Sequence, residues 1–250
     1  MTQRQADGDR PASLEVVTTH PSDAEQAQAG GADRLHACVM TSGEATSPEP
    51  AELSAIVRAT DLPVRVTLRL SAGFTTQGGE FTRLVGLAES YLSLGAEGCC
   101  LGFLTPDVDV DAEVCAALMA ELPGVPWTFD STFDRSLDPR LAWRALAGLP
   151  GLDAVHTAGS VAGTATGYDD VVQLAGADPE FAAVAVAAGD IPAEVVPWLV
   201  RAGVYRLHLG AAVRPGGSWS KAHVDAGFVR SWRLLLDDAV ARGTGRRTAG

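Results

Sequence analysis

Short apolar runs in this chain end in ionisable side chains, and those endings are where its chemistry is to be sought. Glu15 interrupts Leu14-Glu15-Val16-Val17, His36 and Cys38 follow Leu35, and Arg69 closes Val64-Arg65-Val66-Thr67-Leu68. Asp130 and Asp134 flank Ser131-Thr132-Phe133, His156 and Thr157 end a further run, and His208 ends the last. Carboxylates and imidazoles held together can exchange protons with a bound molecule, which makes Glu15, His36, Asp130 and His208 the candidate catalytic groups. A guanidinium fork matches carboxylate or phosphate oxygens, so Arg69 is the candidate anchor for an anionic group. Asp134, Thr157 and Gly159 are candidate ligand contacts, Gly159 opening a Gly159-Ser160-Val161-Ala162-Gly163 loop suited to a small anion. Each also has a structural reading. Glu15 can pair with Arg69 in the core, a strand-end histidine can be a hydrogen-bonded core residue, and Asp134 can brace its own loop.

The same residues admit a metal reading. Cys38 lies two positions after His36, on the same face of a strand, and is the credible soft ligand; a mononuclear site from His36, Cys38 and His208 is geometrically conceivable. Cys99 and Cys100 are adjacent and must face opposite ways, while Cys115 sits in a helical pattern as a small buried hydrophobe. No CxxC or HxxxH spacing occurs, which argues against a structural zinc site.

The elements that position these groups are marked by glycine. Gly31, Gly95, Gly151 and Gly203 each end a helix-like stretch and lead into an apolar run of strand length, at intervals of roughly 50 to 65 residues. Leu14-Val17 and runs following Pro63, Pro126 and Ala182 supply four more strands. Eight strands alternating with eight helices predict an α/β chain folded as a single (β/α)₈ TIM barrel, in which strand ends and the loops after them form the active-site face. Ser47-Pro48, Asp138-Pro139 and Asp190-Ile191-Pro192 read as starts of helices two, five and seven, and Val224 to Arg242 as the last helix. The barrel is expected over 13–242, between disordered tails at 1–12 and 243–250.

A chain of 250 residues, 46% hydrophobic, is the size of one such barrel. Its formal charge of −12, with no cluster of Lys and Arg among aromatics, disfavours nucleic acid as a partner. No apolar run approaches a membrane span and the N-terminal stretch is polar, so a cytoplasmic protein is expected, its four cysteines reduced. Trp198 and Trp219 are candidates for a homodimer contact.

Ordered blocks along the chain carry a resemblance. Leu14-Glu15-Val16-Val17, Gly30-Gly31-Ala32-Asp33-Arg34-Leu35-His36-Ala37-Cys38, Thr67-Leu68-Arg69-Leu70-Ser71, Gly102-Phe103-Leu104-Thr105, Thr128 to Asp134, Thr157-Ala158-Gly159 and Leu207-His208 resemble the CutC copper-homeostasis family from about Leu14 to Ala212. The resemblance implies a (β/α)₈ barrel and copper handling. Glu15, Cys38, Arg69, Asp134 and His208 match the family pattern. His36 stands where the family has Glu, Asp130 where it has His, and only Arg69 remains of an Arg-Pro-Arg segment. Two functions follow. One is transient copper binding through Cys38 and histidines; the other is a lyase, isomerase or hydrolase acting on a small polar or anionic metabolite, without an organic cofactor.

Overall fold

The computed structural model describes residues 12–247 apart from 42, 72 and 77. Eight parallel strands, β1 (Ser13–Thr18), β2 (Arg34–Ala37), β3 (Val64–Thr67), β4 (Gly98–Leu101), β5 (Trp127–Phe129), β6 (Leu152–Thr157), β7 (Ala185–Ala187) and β8 (Arg206–Leu209), close on themselves, with β8 pairing back onto β1. Gly151 (φ 79°) turns the chain into β6, the helix before it having ended at Leu146 with Ala147 as its cap; Gly31, Gly95 and Gly203 do end helices, with φ of 94°, 102° and 97°. A side chain would strain the backbone there, which is why glycine ends these helices.

Helices α1 (Pro21–Gly30), α2 (Pro50–Arg58), α3 (Gly78–Ser93), α4 (Ala112–Ala120), α5 (Pro139–Leu146), α6 (Thr164–Ala177), α7 (Pro179–Val184), α8 (Val196–Ala202) and α9 (Ala226–Arg247) surround the strands. The described residues thus hold nine α-helices where the sequence predicts eight. Pro179 divides the crossover between β6 and β7, and Asp178 caps the new helix by accepting from Glu180 N (2.9 Å) and Phe181 N (3.1 Å). At α5 the expected cap is present, Asp138 accepting from Arg140 N (2.8 Å) and Leu141 N (3.2 Å). At α2 it is displaced: Glu49 and Glu52 form a capping box, while the Ser47 hydroxyl donates to Thr67 O (3.0 Å) and accepts from Arg69 N (2.9 Å). A 3₁₀ turn from Ala193 precedes α8. Ala12 is buried with the core and α9 runs on to Arg247, while 1–11 and 248–250 of the expected tails lie outside the described residues.

The two faces of the sheet are filled unequally. Leu14, Val16, Leu35, Val64, Val66, Leu207 and Leu209 are fully buried in the apolar layer shared with the helices, each contributing about 1.5–3 kcal/mol by the transfer scale. The alternate residues Glu15, Arg34, His36, Arg65, Thr67 and His208 point the other way. Their contacts cross the barrel between strands that are not neighbours: Arg65 on β3 reaches Asp153 on β6 (2.6 Å), and Glu15 on β1 reaches His156 on β6 (2.9 Å). Only the interior allows such contacts, so the axis of this barrel is polar. No helix among the described residues is long and apolar enough to cross a membrane.

Candidate functional site

At the centre of that interior lie three histidines. His36 is the next-to-last residue of β2, His208 sits on β8, and the β1 register aligns Glu15 with His208 and Val17 with His36, so both rings reach the axis at adjacent levels. His36 Nδ1 and His208 Nε2 share a hydrogen bond (2.9 Å), and His36 Nε2 bonds Thr67 Oγ1 (2.8 Å). His156, from β6, faces His208 with ring centroids 4.2 Å apart, and its Nε2 bonds Glu15 Oε2 (2.9 Å). One donor atom from each of the three rings lies within 4.8 Å of the others, a grouping able to hold a metal ion.

Burial sets the protonation of the cluster. It pushes the His36 imidazole down to about 4, with the neighbouring His156 and Arg34 acting the same way against Glu15 and Asp130. Burial likewise carries His208 well below the usual histidine range, aided by His156 and His36. Both rings are therefore neutral at pH 7, the form that donates a lone pair. For Glu15, burial would raise the carboxyl, but Arg34 (3.3 Å) and the His156 pairing outweigh it and hold the group ionised.

Above the histidines lies a cavity of about 190 Å³. Its walls include Cys38, Thr67, Arg69, Asp130, Trp219 and all three histidine rings. An antiparallel hairpin, Val39–Thr41 with Glu44–Thr46, follows β2 and contributes Met40, Glu44 and Ala45 to the rim. Arg135 ties the hairpin down through Glu44 (2.5 Å).

The candidate residues separate into three groups. His36, His208, Arg69, Asp130 and Cys38 line the one cavity, and Glu15 lies just beneath it against His156. The expected Glu15–Arg69 pairing is replaced by two separate pairs: Arg69 bonds Asp130 and also donates to Thr132 Oγ1 (2.8 Å), Gly102 O (3.2 Å) and Gly73 O (3.2 Å), while Glu15 answers to Arg34 and His156. Glu15 thus belongs with the histidines, and Arg69 with the Asp130 turn. Asp134, Thr157 and Gly159 satisfy one another outside the cavity, the carboxylate accepting from Thr157 Oγ1 (2.6 Å), Ala158 N (2.7 Å) and Gly159 N (3.1 Å). Burial lifts the Asp134 carboxyl to about 6 against those donors. Cys38 is absent from the metal-competent group; its thiol contacts Met40 Sδ (3.8 Å), and burial pushes it up to about 12. Trp219 belongs to the cavity wall rather than to a helix, and Trp198 is half exposed on α8 beneath the Arg201 guanidinium.

Fold and interior together define a (β/α)₈ barrel with a polar cavity at the C-terminal mouth of its strands. The family model described as CutC family matches residues 12–213. This chain belongs to the CutC family. A family protein CutC from Klebsiella pneumoniae is 29% identical over 211 residues, covering 83% of this chain and 81% of that protein. The human copper homeostasis protein cutC homolog is 34% identical over 150 residues, 58% of this chain and 54% of that protein. Among solved structures, one from Streptococcus agalactiae bearing the CutC name superposes with a TM-score of 0.68 at 19% identity, covering 80% of this chain and 98% of that one.

Proposed function

We propose that this chain is a metal-binding member of the CutC family that takes one copper-type ion inside its barrel, beneath the mouth, with His36, His156 and His208 as ligands. The observation that carries this reading is the gathering of three imidazole donors within 4.8 Å. Imidazole suits copper and zinc alike, and the name of the human and mouse relatives favours copper. Glu15 on His156 and Thr67 on His36 are the outer bonds that orient metal-binding imidazoles, and their loss typically costs 10- to 100-fold in affinity. Cys38 becomes part of the wall. Titration of Cu(II) into the wild type and into His156→Ala, His208→Ala and Cys38→Ser variants tests the assignment. Both histidine variants are expected to weaken binding by at least about tenfold, and Cys38→Ser to leave it nearly unchanged. A loss confined to Cys38→Ser would end it.

One observation favours a second reading. The Glu15–His156 pair beneath a small cavity is an acid–base arrangement, and a cavity of about 190 Å³ admits a small polar or anionic metabolite of the kind lyases and isomerases process. Under either reading the partner is an ion or small molecule, and the location proposed is cytoplasmic. Trp198 is the remaining candidate contact for a homodimer.

A further inference from the structure

We infer that the three-histidine centre keeps one coordination position open toward the cavity, where an exchangeable oxygen or nitrogen donor, water or a small monoanion such as a carboxylate, completes the shell. This inference rests on the metal reading above and adds what kind of centre it is: an open Lewis-acid site rather than a closed store.

Three observations carry it. The group contains three donors and no more, no further His, Cys, Asp or Glu of the described residues joining it. Three protein ligands plus one exchangeable position is the arrangement of catalytic zinc-type sites, whereas closed structural sites use four. Next, all three rings border the same cavity, whose roughly 190 Å³ exceeds the ~30 Å³ share of one water several-fold, so the open side of the group faces space that a ligand can occupy. Finally, no carboxylate of the described residues joins the three rings, although Asp130, Glu44 and Asp190 share the cavity wall. Glu15 is tied to His156 and Arg34 and is not part of the cavity wall, and Asp130 is paired with Arg69. Imidazole ligands bring no negative charge to an ion they hold, so an ion at the three rings would draw a small anion or polarise a bound carbonyl oxygen.

The wall suggests how entry is controlled. Val17, Ala188, Ala211 and the Trp219 ring are apolar, and Ala45 on the hairpin stands at the rim. A ligand of a few heavy atoms fits; a bulky one does not.

The experiment uses Co(II) as probe on the full chain, because its visible d–d bands report coordination number directly. The wild type loaded with Co(II) is expected to give a four-coordinate spectrum that azide and acetate change saturably. Ala45→Leu, which narrows the rim without touching a ligand, is expected to keep the Co(II) spectrum while azide affinity falls by about tenfold. Co(II) bands indifferent to both anions would overturn the open position. So would a sulfur-to-metal charge-transfer band that disappears in Cys38→Ser, since the thiolate would then be the fourth ligand. Absence of any bound Co(II) or Cu(II) would instead overturn the metal reading on which the inference rests.

Discussion

Arg69 is the residue at which ligand anchor and structural brace are most cleanly separated. Its guanidinium bonds Asp130, Thr132 and two backbone carbonyls and lies 4.6 Å over the Phe74 ring. The Asp130 carboxyl is only 13% exposed; burial would raise it, and Arg69 with the Thr132 donors holds it low. Arg69→Met strands that carboxylate. The variant is expected to lose about 3–5 kcal/mol in urea unfolding, and Arg69→Met with Asp130→Asn to recover part of the loss by removing the orphaned charge. Full stability in Arg69→Met with loss of acetate or phosphate binding would mark an anchor instead. Strand alternation, which makes Glu15 an expected partner for Arg69, tells which face a side chain occupies. Alternation cannot tell which layer of a tilted, staggered barrel it reaches. The register between β5 and β6 slips at Trp127/Thr128, so alternation in the sequence does not show that His156 points inward and Thr157 toward Asp134.

Among the elements, the segment after β8 best illustrates how a loop is fixed by contacts distant in sequence. Arg214, fully buried, donates to Asp23 Oδ2 (2.7 Å) at the start of α1 and to Val17 O (3.2 Å), and lies 4.8 Å beneath the Trp219 ring that walls the cavity. Asp23 also accepts from Thr19 N (2.9 Å) and Val224 N (3.0 Å), tying both ends of the loop to β1 and α1. Gly210 lacks a side chain where Trp219 packs; a Cβ would meet the indole at 2.7 Å. Helix-ending glycines were legible because each reports a local backbone need. The Asp23–Arg214 pair was not, because nothing local links residues so far apart. Burial would raise the Asp23 carboxyl, but Arg214 and the backbone donors depress it below its ordinary 3.8. Its contribution is therefore complete above about pH 3.8 and lost as pH falls through the lower folded value. Asp23→Asn should be less stable than the wild type at pH 7, and the gap between their urea midpoints should close as the pH is taken below about 4. A gap that widens on acidification would contradict the pairing.

Across the whole molecule, polar layers stack along the barrel axis and the aliphatic core is displaced to the sheet–helix interface. The floor layer centres on Arg65, which bonds Asp153 through two 2.6 Å contacts, Thr128 Oγ1 at 2.8 Å and Glu97 at 3.3 Å. The middle layer holds Glu15 and the three histidines, and the mouth holds Arg69 and Asp130. The count of strands and the barrel itself could be read from the chain because the outward aliphatic residues follow strand periodicity; the inward residues were legible only one at a time, since their partners lie across the barrel. Floor and mouth nevertheless differ in how they should respond to the loss of their arginine. Asp153 and Glu97 are 45% and 38% exposed, so without Arg65 they regain water, whereas Asp130 does not when Arg69 is removed. Arg65→Met is thus expected to cost about 1–3 kcal/mol, mainly for the Thr128 hydroxyl left buried, against the larger loss at Arg69. Because the histidine bonds run to Glu15 and Thr67 and not to Arg65, the copper affinity proposed for the three histidines is expected to survive the floor mutation. Urea midpoints and Cu(II) titrations of Arg65→Met and Arg69→Met side by side test both parts. Copper binding lost with Arg65 would mean that the layers act as one network, with the metal centre depending on charges at the opposite end of the barrel.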